Sequence, residues 1–380
     1  MVVERVLPTE ESRELLDLVR TLVRDEVAPH AATYEERSEF PREIIRLLGR
    51  SGLLGLAYPE EYGGGGMPYE VYLQVLEELS AGWAAVALAV SVHTLSCYPV
   101  AAFGDDEQRK AYLPDMLGGE QLGAYSLSEA TSGSDAGSLQ ARARREGGDY
   151  VLSGTKAWVT HGGVADYYNV FCRTSDDARG GVSTVLVPAD AEGLHPQPPE
   201  KKMGLRSSPT AQIVLDNVRV PPARLIGAEG EGMRIALSAL DGGRLGISAV
   251  ATGLAQSALD AAVAWAKERK QFGRPIADNQ GVSFILADMA TGIEASRATY
   301  LAAARRRDAG LKYGAQAAMA KLLATDTAMK TTTDAVQIFG GYGYTTEYPV
   351  ERYMREAKVM QIFEGTNQIQ RLVIGRSLLA

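Results

Sequence analysis

Few side chains in this sequence are placed to do chemistry, and each has a bland alternative. Glu364 follows the apolar Val359, Met360, Ile362 and Phe363 and precedes Gly365, so its carboxylate emerges at a covered helix end. A free glutamate, with a pKa of about 4.3, is a modest base, and apolar enclosure raises its proton affinity toward the range where general bases work best. The same position suits a surface or capping carboxylate. Tyr125-Ser126-Leu127-Ser128-Glu129-Ala130-Thr131-Ser132-Gly133-Ser134-Asp135 is either a polar turn before a strand or a row of hydroxyls and amides for the edge of a flat heterocycle. Trp158 and Thr160 share one face if their segment is a strand, giving core packing or an indole wall beside a hydroxyl donor. Arg269 lies in Lys267-Glu268-Arg269-Lys270, a solvated helix end or a fork of donors for a pyrophosphate. Asp241 and Arg244 stand three apart in an apolar helical pattern, where they form a local ion pair or hold the polar part of a ligand.

Other chemistries find little support. His30, His93, His161 and His195 make no metal-ligand group, and Cys97 and Cys172 fit neither a disulfide scaffold nor a zinc site. No metal is expected, and two structural cysteines suit a reducing compartment. There is no G-x-S-x-G elbow, and the glycine-rich pieces lack the strand-helix order of a dinucleotide-binding fold. Tyr62-Gly63-Gly64-Gly65-Gly66-Met67-Pro68 has no lysine at phosphate-loop spacing; it reads as a turn or as a point of close approach to a ligand or neighbouring subunit. A formal charge of -8 and a pI near 5.3 argue against nucleic acid as a partner. Glu4, Arg5, Glu10 and Glu11 have no apolar run behind them, so no secretory signal is expected. The absence of a basic presequence suits a bacterial cytoplasmic protein or a processed mitochondrial matrix form. Leu79 to Gly104 lacks Asp, Glu, Lys and Arg, but its alanines, His93, Ser96 and Pro99 predict a helix buried by other helices rather than a stable membrane insertion.

The elements that must position these groups fall into three zones, and 380 residues are enough for two or three packed domains. Leu15, Leu18, Val19, Leu22 and Val23, then Ile44, Leu47 and Leu48, recur at helical spacing, with Pro41 placed to start the second helix and Gly52 to end it. From about residue 125 the pattern changes to short β-branched or aromatic segments, among them Tyr150–Leu152, Ala157–Thr160, Tyr167–Cys172, Val182–Val187 and Ala211–Leu215. Met233, Ala236, Leu240, Ile247, Val250, Leu254 and Ala258 then restore a helical stripe, followed by helices expected over Val282–Arg306, Ala315–Phe339 and Pro349–Phe363, the last stopped by Gly365. The fold class is therefore multi-domain α+β. An amino-terminal helical domain (1–121) precedes a central antiparallel β-sandwich or barrel (122–228) and a carboxy-terminal helical bundle (229–380).

Tyr125–Asp135 resembles the first signature of the acyl-CoA dehydrogenase family, and Tyr353–Lys358 with Ile362–Gln370 resembles its carboxy-terminal signature. Lys156–Thr160, Arg269–Gly273 and Gln337–Gly343 lie between them in the family's order, so the resemblance spans the chain. It implies FAD as cofactor, an acyl-CoA substrate, an electron-transfer flavoprotein as oxidant and a homotetramer with FAD held partly across a subunit boundary. It places Tyr125, Leu127, Ser128, Ser134, Trp158 and Thr160 along the flavin, and Thr366, Asn367 and Gln368 against FAD. Arg269, Phe272 and Gln280 also fall to FAD, Gln337, Gly340 and Gly341 to the neighbourhood of its nucleotide half, and Ser134, Asp241, Arg244 and Gly365 to the substrate.

The resemblance makes Glu364 the base that takes the α-proton while flavin N5 accepts the β-hydride, with the ribityl hydroxyl and the Glu364 amide on the thioester oxygen. Isovaleryl- and long-chain-selective relatives carry their base in the segment matching Asp241-Gly242-Gly243-Arg244, where Gly243 offers no proton acceptor. Ser128 and Ala130 stand where Thr and Pro are frequent, which keeps a hydroxyl and removes some rigidity. Leu240–Ile247 is most similar to short-chain and short-branched-chain, butyryl-CoA-like members. The implied reaction is dehydrogenation of a short- to medium-chain or short branched acyl-CoA to its trans-2-enoyl form, as in fatty-acid β-oxidation. An acyl-CoA oxidase of the same fold, or a noncatalytic acyl-CoA-binding protein, is the rival reading.

Overall fold

A computed structural model describes residues 3–177 and 180–379. The chain opens with α1 (Glu10–Leu22), continues through one wide turn into α2 (Ala31–Arg37), and adds α3 (Arg42–Arg50), α4 (Tyr69–Gly82), α5 (Ala84–Phe103) and α6 (Asp106–Leu117). Pro41 precedes α3 and Gly52 follows it with φ 74°, as expected for a helix start and stop. The uncharged stretch is two helices rather than one, because Trp83 adopts φ -163° between α4 and α5. α5 and the later helix Gly232–Glu268 are long and apolar enough to cross a bilayer, yet most of each is buried inside the protein.

The central domain contains β1 (Gly123–Ser126), β2 (Arg142–Glu146), β3 (Asp149–Thr160), β4 (Tyr167–Arg173), β5 (Val182–Pro188), β6 (Leu194–Pro196), β7 (Thr210–Val220) and β8 (Leu225–Ile226). They form one sheet in the order β6-β7-β3-β2-β4-β5-β8, with β1 beside β4. Most pairings are antiparallel; β1 and β2 each meet β4 in parallel, so the sheet is mixed. Its apolar side closes over Tyr150, Leu152, Val170, Val185 and Ile213.

The third zone holds α7 (Gly232–Glu268), the hairpin β9 (Lys270–Gln271) and β10 (Arg274–Pro275), α8 (Gln280–Asp308), α9 (Gly314–Phe339), α10 (Val350–Met360) and α11 (Asn367–Leu379). α10 ends at Met360, short of the expected Phe363, and Glu364 belongs to the connection into α11. One apolar core joins these helices to α1, α4 and α5 through Leu76, Trp83, Leu245, Ile293 and Tyr300. Polar ties cross the same junctions. Glu77 of α4 is buried against Arg297 of α8 at 2.7 Å and Arg5 at 3.0 Å. Glu35 of α2 accepts the Arg206 amide at 2.7 Å, pinning the first zone to the sheet.

Candidate active site

The connection between α10 and α11 aims Glu364 inward. Glu364 and Gly365 both take left-handed backbone, φ 51° and 90°, a conformation that costs a glutamate on the order of 1–2 kcal/mol. Three hydrogen bonds hold it there: Lys321 Nζ of α9 donates to the Gly365 carbonyl at 2.9 Å, and Gln370 Nε2 donates to the carbonyls of Gly365 at 2.8 Å and Glu364 at 3.3 Å. A strained non-glycine residue kept by surrounding bonds is a common feature of functional sites. The Glu364 amide makes no hydrogen bond among the described residues, so it is free to donate to a ligand oxygen.

Although the residue is half-buried overall, Glu364 Oε2 is enclosed and has no hydrogen-bond partner. Burial pushes its carboxyl up to about 7, against the opposing pull of Lys321 and Arg244. Burial likewise lowers the Lys321 ammonium to about 8, against the pull of Glu364 and Asp326. The carboxylate lies directly against Gly243 of α7: a methyl built there would overlap Oε2 and stand 3.2 Å from Cδ. Position 243 and Glu364 thus occupy the same place, and only one of them has room for a side chain.

Arg244 is buried and donates from Nη1 to Asp241 Oδ1 at 2.5 Å, which is the local ion pair of the bland reading; its Nε is left without a partner. Asp241 also lines a broad cavity of about 640 Å³ bounded by Arg306, Lys312, Tyr313 and Ser377. On the inner side of Gly243 is a much smaller cavity of about 20 Å³.

The Tyr125–Asp135 segment leaves β1 and is locked onto β3 by a buried ion pair. Lys156 Nζ reaches Glu129 Oε1 at 2.8 Å and the Leu127 carbonyl at 3.1 Å, while Glu129 also accepts the Gln140 and Ala141 amides. Burial raises the Glu129 carboxyl, but Lys156 and those amides overcome it and hold the group below its usual range. Tyr125 is half-buried with its hydroxyl on the Ala236 carbonyl at 3.1 Å, Leu127 is buried, Ser128 is half-buried, Ser134 is exposed, and Ser126 Oγ is buried without a partner.

Trp158 departs from simple strand alternation. The register shifts between Lys156 and Val159, Trp158 takes φ 60°, and its ring is 62% exposed rather than in the core. A bulge that turns a large indole out beside the half-buried Thr160 gives an open aromatic wall with a hydroxyl next to it, which fits the face and edge of a flavin.

A second group lies on the carboxy-terminal helices. Arg269 Cζ is 5.3 Å from the centre of the Tyr342 ring and 6.0 Å from that of Trp265, within reach of cation–π attraction to both. Phe272, at the tip of the β9–β10 hairpin with φ 52°, is 98% exposed, and Gln280, Gln337, Gly340 and Gly341 are exposed as well. Among the described residues no hydrogen bond, ion pair or ring contact joins this group to the Trp158 group within the chain. Thr366 is half-buried and Gln368 exposed beside the Glu364 turn. Asn367 is already occupied: it accepts Lys321 Nζ at 2.9 Å and donates to Thr325 and Asp326, so its side chain braces the turn.

Sequence reasoning overlooked Lys321 and Gln370 as supports of Glu364. A signal for the first was present: Lys321 is the one charged residue between Ala315 and Thr325, on a helix otherwise rich in alanine. Nothing local marks Gln370, whose role depends on the turn made by Glu364 and Gly365.

The whole chain has close relatives. Profiles described as acyl-CoA dehydrogenase N-terminal, middle and C-terminal domains match residues 9–120, 124–218 and 230–379. An acyl-CoA dehydrogenase of Bacillus subtilis is 47% identical over 373 residues, covering 98% of each chain. A short-chain-specific acyl-CoA dehydrogenase of Clostridium acetobutylicum is 42% identical over 369 residues, covering 96% of this chain and 97% of that one. Among solved structures, butyryl-CoA dehydrogenase from Megasphaera elsdenii superposes with a TM-score of 0.96 at 38% identity, covering 100% of both chains.

Proposed function

The chain belongs to the acyl-CoA dehydrogenase family, and from that premise we propose that it desaturates a short acyl-CoA with Glu364 as the base. It is an FAD-dependent oxidoreductase acting on acyl-CoA, with electrons passing toward an electron-transfer flavoprotein. One observation carries the role of Glu364: an enclosed, unpaired carboxylate, raised to about 7 and opposed only by a glycine at the alternative base position.

The chemistry follows from these groups. A thioester acidifies its α-hydrogen because the developing charge spreads onto the carbonyl oxygen, and the free Glu364 amide is a donor suited to that oxygen. Glu364 takes the α-proton, and its raised proton affinity makes it a better base than an exposed glutamate once deprotonated. FAD, when bound, supplies the acceptor for the hydride that leaves the β-carbon. Trp158, Thr160, Ser128 and Ser134 would hold its flavin end, and Arg269, Phe272, Gln280, Gln337, Gly340 and Gly341 its nucleotide end. Among the described residues no hydrogen bond, ion pair or ring contact joins these two sets, and the second is read as serving a flavin in a neighbouring copy. The exposed Phe272 fits a homotetramer, where it would be covered.

The broad cavity beside Asp241, with Arg306 and Lys312 on its rim, suits the bulky phosphorylated part of the thioester. The small cavity behind Gly243 supports a short acyl chain, since a space of about 20 Å³ admits about one small group. The proposed location is the cytoplasm if the chain is bacterial, or the mitochondrial matrix if it is a processed eukaryotic form. Anaerobic titration of the yellow protein with acyl-CoAs of increasing length is the test: butyryl-CoA should bleach the flavin, and an electron-transfer flavoprotein should restore its colour. Bleaching only by long chains would reject the short-chain reading, and rapid reoxidation by oxygen would favour an oxidase.

A further inference from the structure

The small cavity behind Gly243 has an unusual lining for the end of a hydrocarbon chain. Its walls include Tyr58, Tyr69, Ser91, Thr94 and Tyr98, together with Arg307 of α8. Arg307 Cζ lies 3.4 Å from the centre of the Tyr69 ring, and the Tyr69 hydroxyl donates to the Gly242 carbonyl at 3.0 Å. Tyr58 donates to the Thr94 carbonyl at 2.5 Å, so its proton is already committed.

Two polar groups at this cavity lack a well-formed hydrogen bond, with only the buried phenols of Tyr69 and Tyr72 close to Arg307 and Thr94 respectively. Arg307 Nη1 is buried without a hydrogen-bond partner, and so is Thr94 Oγ1. No carboxylate makes an ion pair with Arg307 among the described residues. The adjacent Asp308 caps α4, accepting the Tyr69 amide at 2.9 Å and the Glu70 amide at 3.2 Å, and its charge acts on Arg307 without a direct bond to it. Burial raises the phenols of Tyr58, Tyr69 and Tyr72, so they remain neutral and supply no counter-charge. A buried guanidinium lacking an anion is costly, and an acyl chain ending in methyl would leave it so.

We propose that this pocket is built for an acyl-CoA whose far end carries a carboxylate, received by Arg307 and Thr94, the chain running past Gly243 with its α-carbon at Glu364. The inference rests on the acyl-CoA dehydrogenase reading and narrows its substrate class to short ω-carboxyacyl thioesters. The distal carboxylate takes no part in the reaction; it sets chain length and orientation through its bonds to Arg307 and Thr94. The cavity leaves room for one small group, so a single chain length should be preferred.

The test compares the FAD-loaded protein with succinyl-, glutaryl- and adipyl-CoA against butyryl- and hexanoyl-CoA, by anaerobic flavin bleaching and steady-state turnover. One of the three carboxyacyl thioesters should exceed butyryl-CoA in kcat/KM by at least about 10-fold, near the lower end of the range for leaving a buried polar group unpaired. Arg307→Met should lower that ratio by about 100-fold and Arg307→Lys by less, as expected for loss of a charge-assisted bond. Thr94→Val, a milder change, should lower it by about 10-fold, so the test survives a poorly folding Arg307 variant. A wild-type protein that turns over butyryl-CoA as well as every carboxyacyl thioester overturns the proposal and leaves the dehydrogenase standing. An unchanged ratio in Arg307→Met and Thr94→Val also overturns it. Failure of all five thioesters to bleach the flavin overturns both readings together.

Discussion

Replacing Gly243 with alanine separates the catalytic role of Glu364 from its structural surroundings. The new methyl would overlap Glu364 Oε2, stand 3.2 Å from its Cδ and 3.3 Å from Leu95 Cδ1. Ordinary carbon contacts lie at roughly 3.5–4.0 Å, so the carboxylate must withdraw by about 1 Å while Leu95 gives by a few tenths. The displaced atoms are the far end of a flexible side chain, and helix propensity favours alanine over glycine by up to about 1 kcal/mol, so stability should change by less than about 1 kcal/mol. A misplacement of about 1 Å at a reacting group, in contrast, costs about 100-fold in rate. Stopped-flow reduction of the flavin by butyryl-CoA should therefore slow by about 100-fold in Gly243→Ala, with FAD content and thermal midpoint close to wild type. A reduction rate within threefold of wild type would mean that Glu364 is not positioned by its contact with Gly243.

Two further substitutions address the supports. Lys321→Met removes both the donor to Gly365 and the nearby positive charge that holds Glu364 down to about 7, so the carboxyl should rise further. Since the base acts deprotonated, the rising limb of the pH profile for flavin reduction should move to higher pH, and an unmoved limb would contradict the coupling. Lys156→Met leaves Glu129 charged and buried, which should cost about 3–5 kcal/mol in urea unfolding, and adding Glu129→Gln should restore part of that loss.

Much of the architecture was legible because its signals are periodic. The stripe from Met233 through Ala258 predicted α7, and the β-branched segments predicted β3, β4, β5 and β7. Boundaries set by tertiary contact were less so: α10 stops at Met360 because the chain must reverse to bring Glu364 under Lys321 and Gln370, and Trp83 splits an otherwise continuous apolar run. Residue types marked Glu364, Trp158 and Arg269, but the arrangement needed the fold. Trp158 is turned outward by a bulge that alternation does not reveal, and Lys156, quoted only as part of a motif, proves to be the buried partner of Glu129. The polarity of the inner cavity was invisible, since Tyr58, Thr94, Gly243 and Arg307 come from distant parts of the chain.

The central claim is that Glu364 is the group that removes the substrate's α-proton. Glu364→Gln keeps the shape and takes away the base, so the purified variant should remain yellow and should still bind butyryl-CoA. Its anaerobic flavin reduction, followed by stopped-flow absorbance, should fall by about 100- to 10,000-fold, the range for loss of a general base. Reduction at a near wild-type rate would show that another group takes the proton, and that the enclosed carboxylate beside Gly243 has some other purpose.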